Sequence, residues 1–421
     1  MPKELQIPRA LGNGLTLRAV ASDADVDKVA AINAEIHGEG AIVRHWLMGG
    51  HPVIYREGWL YVEDGATGQA VATLCLIPMT WRYGVQPLPV AELGFVATLP
   101  GYRRRGLQRV LSQAFEALAL ERGYTLAAIE GIPGFYGQFG YEYAVPLNDA
   151  YDLAFDQVPR ATAHATRPAT PDDVPALQRL FDASTAALDL TGLRDAALWS
   201  HQLSVPREIS LYATTTLLER EKQVVGYLRW GNDGWSDRLA ILELAVDGGP
   251  GADERMLDAL RFARERGQAQ GDRSGLRLRL PASHPVVSLA LDLGAAEQGH
   301  YGWQLQVLDP VGFVRAIGPA LEARLAASEF AGHGGALVLD LYRSRLALRF
   351  EGGRLVQVGT PEGEAQAHAG LRLKTATQLW LGWRGRQALE DWYPDFWSQE
   401  TARPLLDVLF PRARAWVYMS Y

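Results

Sequence analysis

The residues best placed to do chemistry lie between Phe95 and Leu107. Phe95-Val96-Ala97-Thr98 reads as the end of an apolar strand, Leu99-Pro100-Gly101-Tyr102 as a turn, and Arg103-Arg104-Arg105-Gly106-Leu107 as the start of a helix. A glycine there lets the backbone come close to a ligand, and the first helical turn leaves its N–H groups without intrahelical acceptors. Those donors, the helix dipole and the flanking guanidinium groups together make a seat for a pyrophosphate. The stretch is not a P-loop, since no lysine follows Gly106 and no Walker spacing occurs elsewhere. Taken alone, three arginines in a row read equally well as a solvated helix cap. Other chemistries lack their residues: there is no Gly-x-Ser-x-Gly elbow and no His-Glu-x-x-His pair. The lone Cys75 excludes an intrachain disulfide framework and a multi-cysteine zinc site, and no metal is expected.

The elements that must position this stretch recur along the chain. Gly58 to Val62, Ala70 to Pro78 and Ala91 to Thr98 read as strands, with Asp64-Gly65-Ala66-Thr67-Gly68 as a turn. Leu107, Val110, Leu111, Ala114 and Leu118 follow at helical spacing with Arg122-Gly123 as a stop, and Thr125 to Ile129 is a buried-type strand. Roughly 150 residues on, a domain's length, the order repeats: Val224 to Arg229, Ala240 to Val246, a helix from Asp253 to Arg266, and Leu276 to Leu280. Arg18 matches Arg167, Glu92 matches Glu243, and Gly140 matches Gly294, in the same order. The second copy carries Gly248-Gly249-Pro250-Gly251 where the first has arginines. A third segment starts near Asp309-Pro310 with a helix from Val311 to Ser328, strands at Ala336 to Leu341, Arg345 to Phe350 and Leu355 to Val358, then Leu371 to Lys374 and a helix into Trp380. Core and interface packing is the preferred reading of Trp380, Trp383, Trp392 and Trp397, ahead of a lipid-like pocket.

Composition sets the outer limits. The 421 residues suit about three domains at ~150 residues each. Hydrophobic residues at 48% and charged residues at 21% are ordinary globular values, which excludes whole-chain disorder. With 41 basic against 48 acidic residues the net charge is −7, the wrong sign for general nucleic-acid binding and mild enough to accept a small cationic substrate. No apolar run approaches the ~20 residues of a membrane span, and Pro2, Pro8, Gly12 and Gly14 interrupt the first residues, so a cytoplasmic protein is expected.

The strand, the arginine loop and the later turn Phe135-Tyr136-Gly137-Gln138-Phe139-Gly140-Tyr141 together resemble the acetyl-CoA site of the GNAT superfamily of N-acetyltransferases. The family pattern Arg/Gln-x-x-Gly-x-Gly/Ala is matched by Arg103 and Gly106, whereas position 108 is Gln instead of Gly or Ala. Within the superfamily the chain is most similar to the enhanced intracellular survival (Eis) acetyltransferases, whose loop also reads Arg-Arg-Arg-Gly-Leu after Phe-Val-Ala. The resemblance implies an α+β fold with tandem GNAT domains and a sterol-carrier-like α+β domain. Its divisions are a catalytic domain over 1–155, a degenerate copy without a cofactor site over 156–308, and the last domain over 309–421.

The implied activity is direct acetyl transfer from acetyl-CoA to an amine, a small molecule or peptide, in a ternary complex. The rival class is a CoA-responsive regulator or a carrier of an apolar ligand. Neither nucleic acid nor membrane is an expected partner, and a homo-oligomer is compatible with the family. Phe95, Val96, Ala97, Thr98, Arg103, Arg104, Arg105, Gly106 and Leu107 are the implied cofactor contacts, with the backbone of Val96 and Thr98 meeting the pantetheine. Tyr136 maps to the general acid, and a phenol of pKa ≈ 10 is fully protonated for a leaving thiolate. Two carboxylates compete as base: the terminal carboxylate of Tyr421 and Glu92, which lies four strand residues (about 13 Å) before Val96 and would need a water relay. Glu130, Trp46 and His37 are the expected acceptor contacts; His45 and His51 share the stretch around Trp46. In the second copy Ala290 falls near the place of Tyr136, so that copy is expected to be silent.

Overall fold

The computed structural model describes residues 6–147, 149–161, 165–205, 213–232, 236–363 and 365–419. They form two compact units. One comprises the chain up to Val145, Leu188–Leu193 and Trp303–Val417; the other comprises Pro146–Ala187, Arg194–Gly302 and the described residues after Val417. Among the described residues no helix is long and apolar enough to cross a membrane.

The first unit is built on a mixed sheet whose main path runs Arg9–Gly12, Leu15–Ala19, Trp59–Asp64, Gln69–Tyr83, Gln86–Thr98, Leu126–Ile129, Gly302–Val307 and Glu142–Pro146. Gln69–Tyr83 and Gln86–Thr98 form a long antiparallel hairpin, with Trp81 opposite Leu88 and Thr73 opposite Ala97. Alternation is weak along Gln69–Tyr83, most of it buried, because helices pack on the sheet from both faces. The helix Leu107–Glu121 returns the chain to start Leu126–Ile129 parallel to the long strand. It does so by seating Leu107, Leu111, Ala114, Phe115 and Leu118 in the core under the sheet, a helical stripe legible in the sequence. On the opposite face, to which Tyr61 points between Leu60 and Val62 of that core, the helix Asp23–His37 starts at a capping box: the Ser22 side chain accepts from the Asp25 N–H, while the Asp25 carboxylate accepts from the Ser22 N–H.

The later part of this unit carries a five-stranded sheet in the order Arg354–Gly359, Arg345–Glu351, Gly335–Asp340, Ala369–Gly370 and Trp397–Ser398. The helix Pro310–Ala326 and the helix Leu373–Trp380 meet through Phe313 stacked on Trp380. The strand expected over Leu371–Lys374 is instead a two-residue bridge at Ala369–Gly370, and Lys374 is helical. Four residues of alternating polarity read both ways; the unbroken burial of Thr375 to Trp380 along one helix decides it here. Trp380 is fully buried, whereas Trp392 and Trp397 are exposed.

The second unit holds one seven-stranded sheet in the order Ala296–Glu297, Ala150–Ala154, Gly275–Arg279, Leu239–Val246, Gln223–Asn232, Thr214–Arg220 and Ala165–Pro168. Here too a helix, Ala252–Gln270, links two parallel strands, Leu239–Val246 and Gly275–Arg279. Each sheet takes a strand from beyond its own run of sequence. Ala150–Ala154 follows the first sheet's last sequential strand but pairs in the second, and Gly302–Val307 follows the second sheet's strands but pairs with Leu126–Ile129 in the first.

Candidate active site

The long strand and its parallel neighbour stay paired for only three residues, Val90 with Leu126, Ala91 with Ala127 and Glu92 with Ala128. Beyond Glu92 they part, so the strand runs on to Thr98 with one edge unclaimed by Leu126–Ile129. Between Gly94 and Ala97 it carries one residue more than its partner, a bulge centred on Phe95, whose φ of 50° is unusual for a bulky residue. Its ring packs against Trp46 and Trp59, each at 5.2 Å between centroids, and that packing offsets the strain.

A cavity of about 550 Å³ lies along the exposed edge of the fork and the start of Leu107–Glu121. Of the expected cofactor contacts, Val96, Ala97, Thr98, Arg103, Arg104, Gly106 and Leu107 line it, and Tyr136 joins them. Phe95 and Arg105 are not among the lining residues. Phe95 faces the two tryptophans, and the Arg105 guanidinium sits 4.7 Å over the Tyr102 ring and donates to the Gly101 carbonyl. Gly106 is the N-cap of the helix at φ +77°, a left-handed conformation that favours glycine. No side chain caps this end and no acidic residue sits in the first turn, so its N–H groups and the exposed Arg103 and Arg104 present one cationic surface.

Gln108 has a role that the sequence pattern did not suggest. Its Nε2 donates to the Ala97 carbonyl and to Thr98 Oγ1, both at 2.8 Å, and so braces the end of the long strand against the helix. The smaller residue of the usual pattern could not do this.

Tyr136 opens a short 3-10 turn, Tyr136–Phe139. Its ring is buried and lies so close to Gly131 that a Cβ there would be 2.3 Å from Tyr136 Cδ2. Phe135 meets it edge-on at 5.0 Å and Tyr141 at 6.1 Å. Burial drives the Tyr141 phenol well above its usual range, with the charge of Glu116 adding to it, so Tyr141 stays neutral and packs.

The other candidates are dispersed. Glu92 is buried at the last paired position before the fork, beside Cys75, and does not line the cavity. Burial, reinforced by the Glu92 charge, pushes the Cys75 thiol up and makes it inert. Glu130 is exposed at the end of its strand. Trp46 is buried against Phe95 and His51. His37 ends its helix with Nε2 3.2 Å from the Val96 carbonyl, and its neighbour Ile36 reaches the cavity. Tyr421 lies outside the described residues. No cluster of three His, Cys, Asp or Glu that could hold a metal occurs among the described residues.

The corresponding features of the second unit are filled by its own side chains. Gly251 caps Ala252–Gln270 at φ +80°, as Gly106 caps its counterpart. There, however, the buried Arg255 guanidinium donates to the carbonyls of Asp247, Gly248 and Pro250 and closes the loop on itself. Gly294 takes φ +96° where Gly140 takes +99°, and the next N–H returns to Ala290 as Tyr141 returns to Tyr136. Glu243, the partner of Glu92 in the sequence match, is held by Arg194 at 3.0 Å and by the Tyr227 hydroxyl. Burial alone would raise its carboxyl; the Arg194 and Arg229 charges overcome that and hold it below the usual range.

A model of the acetyltransferase (GNAT) domain family matches residues 47–144. The N-acetyltransferase Eis of Mycobacterium bovis and that of Mycobacterium tuberculosis are each 38% identical to this chain over 98 residues, 22% of this chain and 24% of the relative. The match thus spans about a quarter of those relatives' length. A GCN5-related N-acetyltransferase from Anabaena variabilis superposes with a TM-score of 0.70 at 16% identity, covering 96% of this chain and 99% of that one. Eis1 from Mycobacterium abscessus does so at 0.61 and 15%, covering 97% and 100%. At these identities the likeness is one of fold.

Proposed function

With residues 47–144 an acetyltransferase (GNAT) domain of the Eis-like kind, we propose that this chain transfers an acetyl group from acetyl-CoA directly to an amine. The observation that carries the reading is one cavity shared by an uncapped helix start, two exposed arginines and a buried tyrosine. The residues suit the cosubstrate. Helix N–H groups with Arg103 and Arg104 match a pyrophosphate, and the strand edge from Val96 to Thr98 offers backbone groups to an amide-bearing arm.

In this reading the amine nitrogen attacks the thioester carbon, a C–N bond forms and the C–S bond breaks. Tyr136 gives its phenolic proton to the departing sulfur. The amine proton leaves to a carboxylate, either the terminal one of Tyr421 or Glu92 through a water relay, and solvent returns a proton to Tyr136. The division into a catalytic domain over 1–155, a second GNAT domain without a cofactor seat over 156–308, and a sterol-carrier-like module over 309–421 belongs to the same proposal. It is supported by the second helix-linked parallel pair, whose loop is already closed by Arg255.

Calorimetry with acetyl-CoA, followed by thiol release in the presence of kanamycin, spermidine or a lysine peptide, tests the reading. One acetyl-CoA per chain and amine-dependent release are expected. Two equivalent sites would overturn the account of the second unit, and binding without release under any amine would return the chain to the class of CoA-responsive regulators.

A further inference from the structure

The turn that carries Tyr136 is closed at its end by long backbone hydrogen bonds. Gly140 N–H reaches the Gly137 carbonyl at 3.3 Å and Tyr141 N–H reaches the Tyr136 carbonyl at 3.4 Å, both long for such bonds. From the site helix it receives Arg109, whose guanidinium donates to Gln138 Oε1 at 3.3 Å and lies 5.4 Å from the Phe139 ring.

A short hydrogen bond to the turn comes from far along the sequence. Lys374 Nζ, in the helix Leu373–Trp380, donates to the Gly137 carbonyl at 2.7 Å. One helical turn later Gln378 Nε2 donates to the Tyr143 carbonyl at 3.0 Å. Residues four apart share a helix face, so this face grips both ends of the segment from Gly137 to Tyr143. The helix itself is firmly seated, with Thr375 to Trp380 buried and the Trp380 carbonyl accepting from the Tyr83 hydroxyl at 2.6 Å.

Local preference does not account for Lys374. A cation in the first turn of a helix faces the positive end of the dipole, and Lys374 has no carboxylate within ion-pair distance among the described residues. Its half-buried ammonium is directed at one carbonyl, that of the residue after Tyr136. A lysine ammonium makes a charge-assisted bond there that a neutral side chain would not.

We propose that Lys374 is a positioning residue for the proton donor: by pinning the Gly137 carbonyl it holds the 3-10 turn so that the Tyr136 hydroxyl stays aimed into the cavity. The proposal rests on the assignment of Tyr136 as the acid. It gives the 309–421 segment a part in the chemistry that requires no bound ligand of its own.

The test uses the full chain and three variants, Lys374→Met, Lys374→Arg and Tyr136→Phe. Hydrogen exchange is the first readout, because it needs no acceptor. The Gly140 and Tyr141 amides should exchange at least tenfold faster in Lys374→Met and at close to the parent rate in Lys374→Arg. Thiol release from acetyl-CoA with kanamycin or spermidine is the second. For Lys374→Met, kcat should fall about tenfold with KM for acetyl-CoA unchanged, and Lys374→Arg should recover most of the loss. Unchanged exchange in Lys374→Met overturns the proposal. So does a full-rate Lys374→Met enzyme beside an inactive Tyr136→Phe enzyme. A Tyr136→Phe enzyme as fast as the parent would remove the acid assignment itself, and the proposal with it, whatever the exchange result.

Discussion

Two loops in this chain leave a central strand, pass a left-handed glycine and enter a helix that returns to a parallel strand, yet they differ in what occupies them. The loop before Leu107–Glu121 runs from Thr98 to Gly106 and points exposed arginines outward. The loop before Ala252–Gln270 is shorter, running from Val246 to Gly251, and its carbonyls are taken by the buried Arg255. The same contrast holds at the next turn, where Tyr136 faces a cavity and Ala290 is simply buried. It holds again at the strand carboxylates: Glu243 lies in a closed network with Arg194, Arg229 and Tyr227, and Glu92 stands at the fork beside the inert Cys75. A shared scaffold becomes a site when its helix start and loop are left for a ligand, and becomes structure when the chain's own side chains fill them.

The most severe loss should come from the tyrosine side of this contrast. Tyr136→Phe should lower turnover by ~10²–10⁴-fold with acetyl-CoA affinity intact, the usual contribution of a positioned proton donor. Steady-state thiol release with calorimetry checks it, and an equal loss of affinity would return Tyr136 to packing. Next comes the carboxylate pair. Glu243→Gln strands Arg194 in a buried site and should cost ~3–5 kcal/mol of stability in denaturant melts. Glu92→Gln should instead act on turnover; the reverse pattern would exchange the roles assigned to the two.

The arginines give a smaller but cleaner separation. Arg103→Ala or Arg104→Ala should each weaken acetyl-CoA binding by ~1.5–3 kcal/mol for every charge-assisted hydrogen bond removed. Arg255→Ala should leave that affinity unchanged and lower the melting temperature, since only loop carbonyls lose a donor. A weakened acetyl-CoA isotherm for Arg255→Ala would place a ligand seat in the second unit after all.

The mildest effect concerns what the two units share. Burial alone would raise the Asp25 carboxyl, but the Tyr61 hydroxyl, Ser22 and two backbone N–H groups bring it down to about 2. Asp173 stands at about 2 chiefly because Arg167 pairs with it, against burial, with Thr170 adding to the effect. A depressed carboxyl stabilises the fold above its unfolded pKa, near 4, and that stabilisation is lost as pH falls towards 2. Both groups are partly solvated, so screening reduces each contribution to about 1 kcal/mol. Asp25→Asn and Asp173→Asn should each flatten the stability curve between pH 4 and pH 2, as read by urea melts. A variant with the parent slope would show that its carboxylate carries no net charge-dependent stability.

Much of the site was legible because it obeys local rules. The helix start at Gly106 with its arginines, the apolar stripe from Leu107 to Leu118 and the glycine after the tyrosine turn depend on residues within a few positions of one another. The strand expected at Leu371–Lys374 was misplaced because four residues of mixed polarity suit either period, and only packing against Phe313 and its surroundings selects the helix. Gln108 looked like a departure from a pattern; its brace to Ala97 and Thr98 depends on how closely helix and strand approach.

Local chemistry along the chain was enough to set the strands and the helix around the site and where the cationic loop falls. These follow from side-chain period, caps and left-handed glycines, all set within about one turn of chain. Packing was needed to part the long strand from its neighbour after Glu92, to pair Ala150–Ala154 and Gly302–Val307 in sheets other than those of their sequence neighbours, and to bring Lys374 to the Gly137 carbonyl. Strand pairing satisfies whichever edge is left open once the helices have covered the sheet faces, and a hydrogen bond spanning 237 positions exists only after both partners are packed.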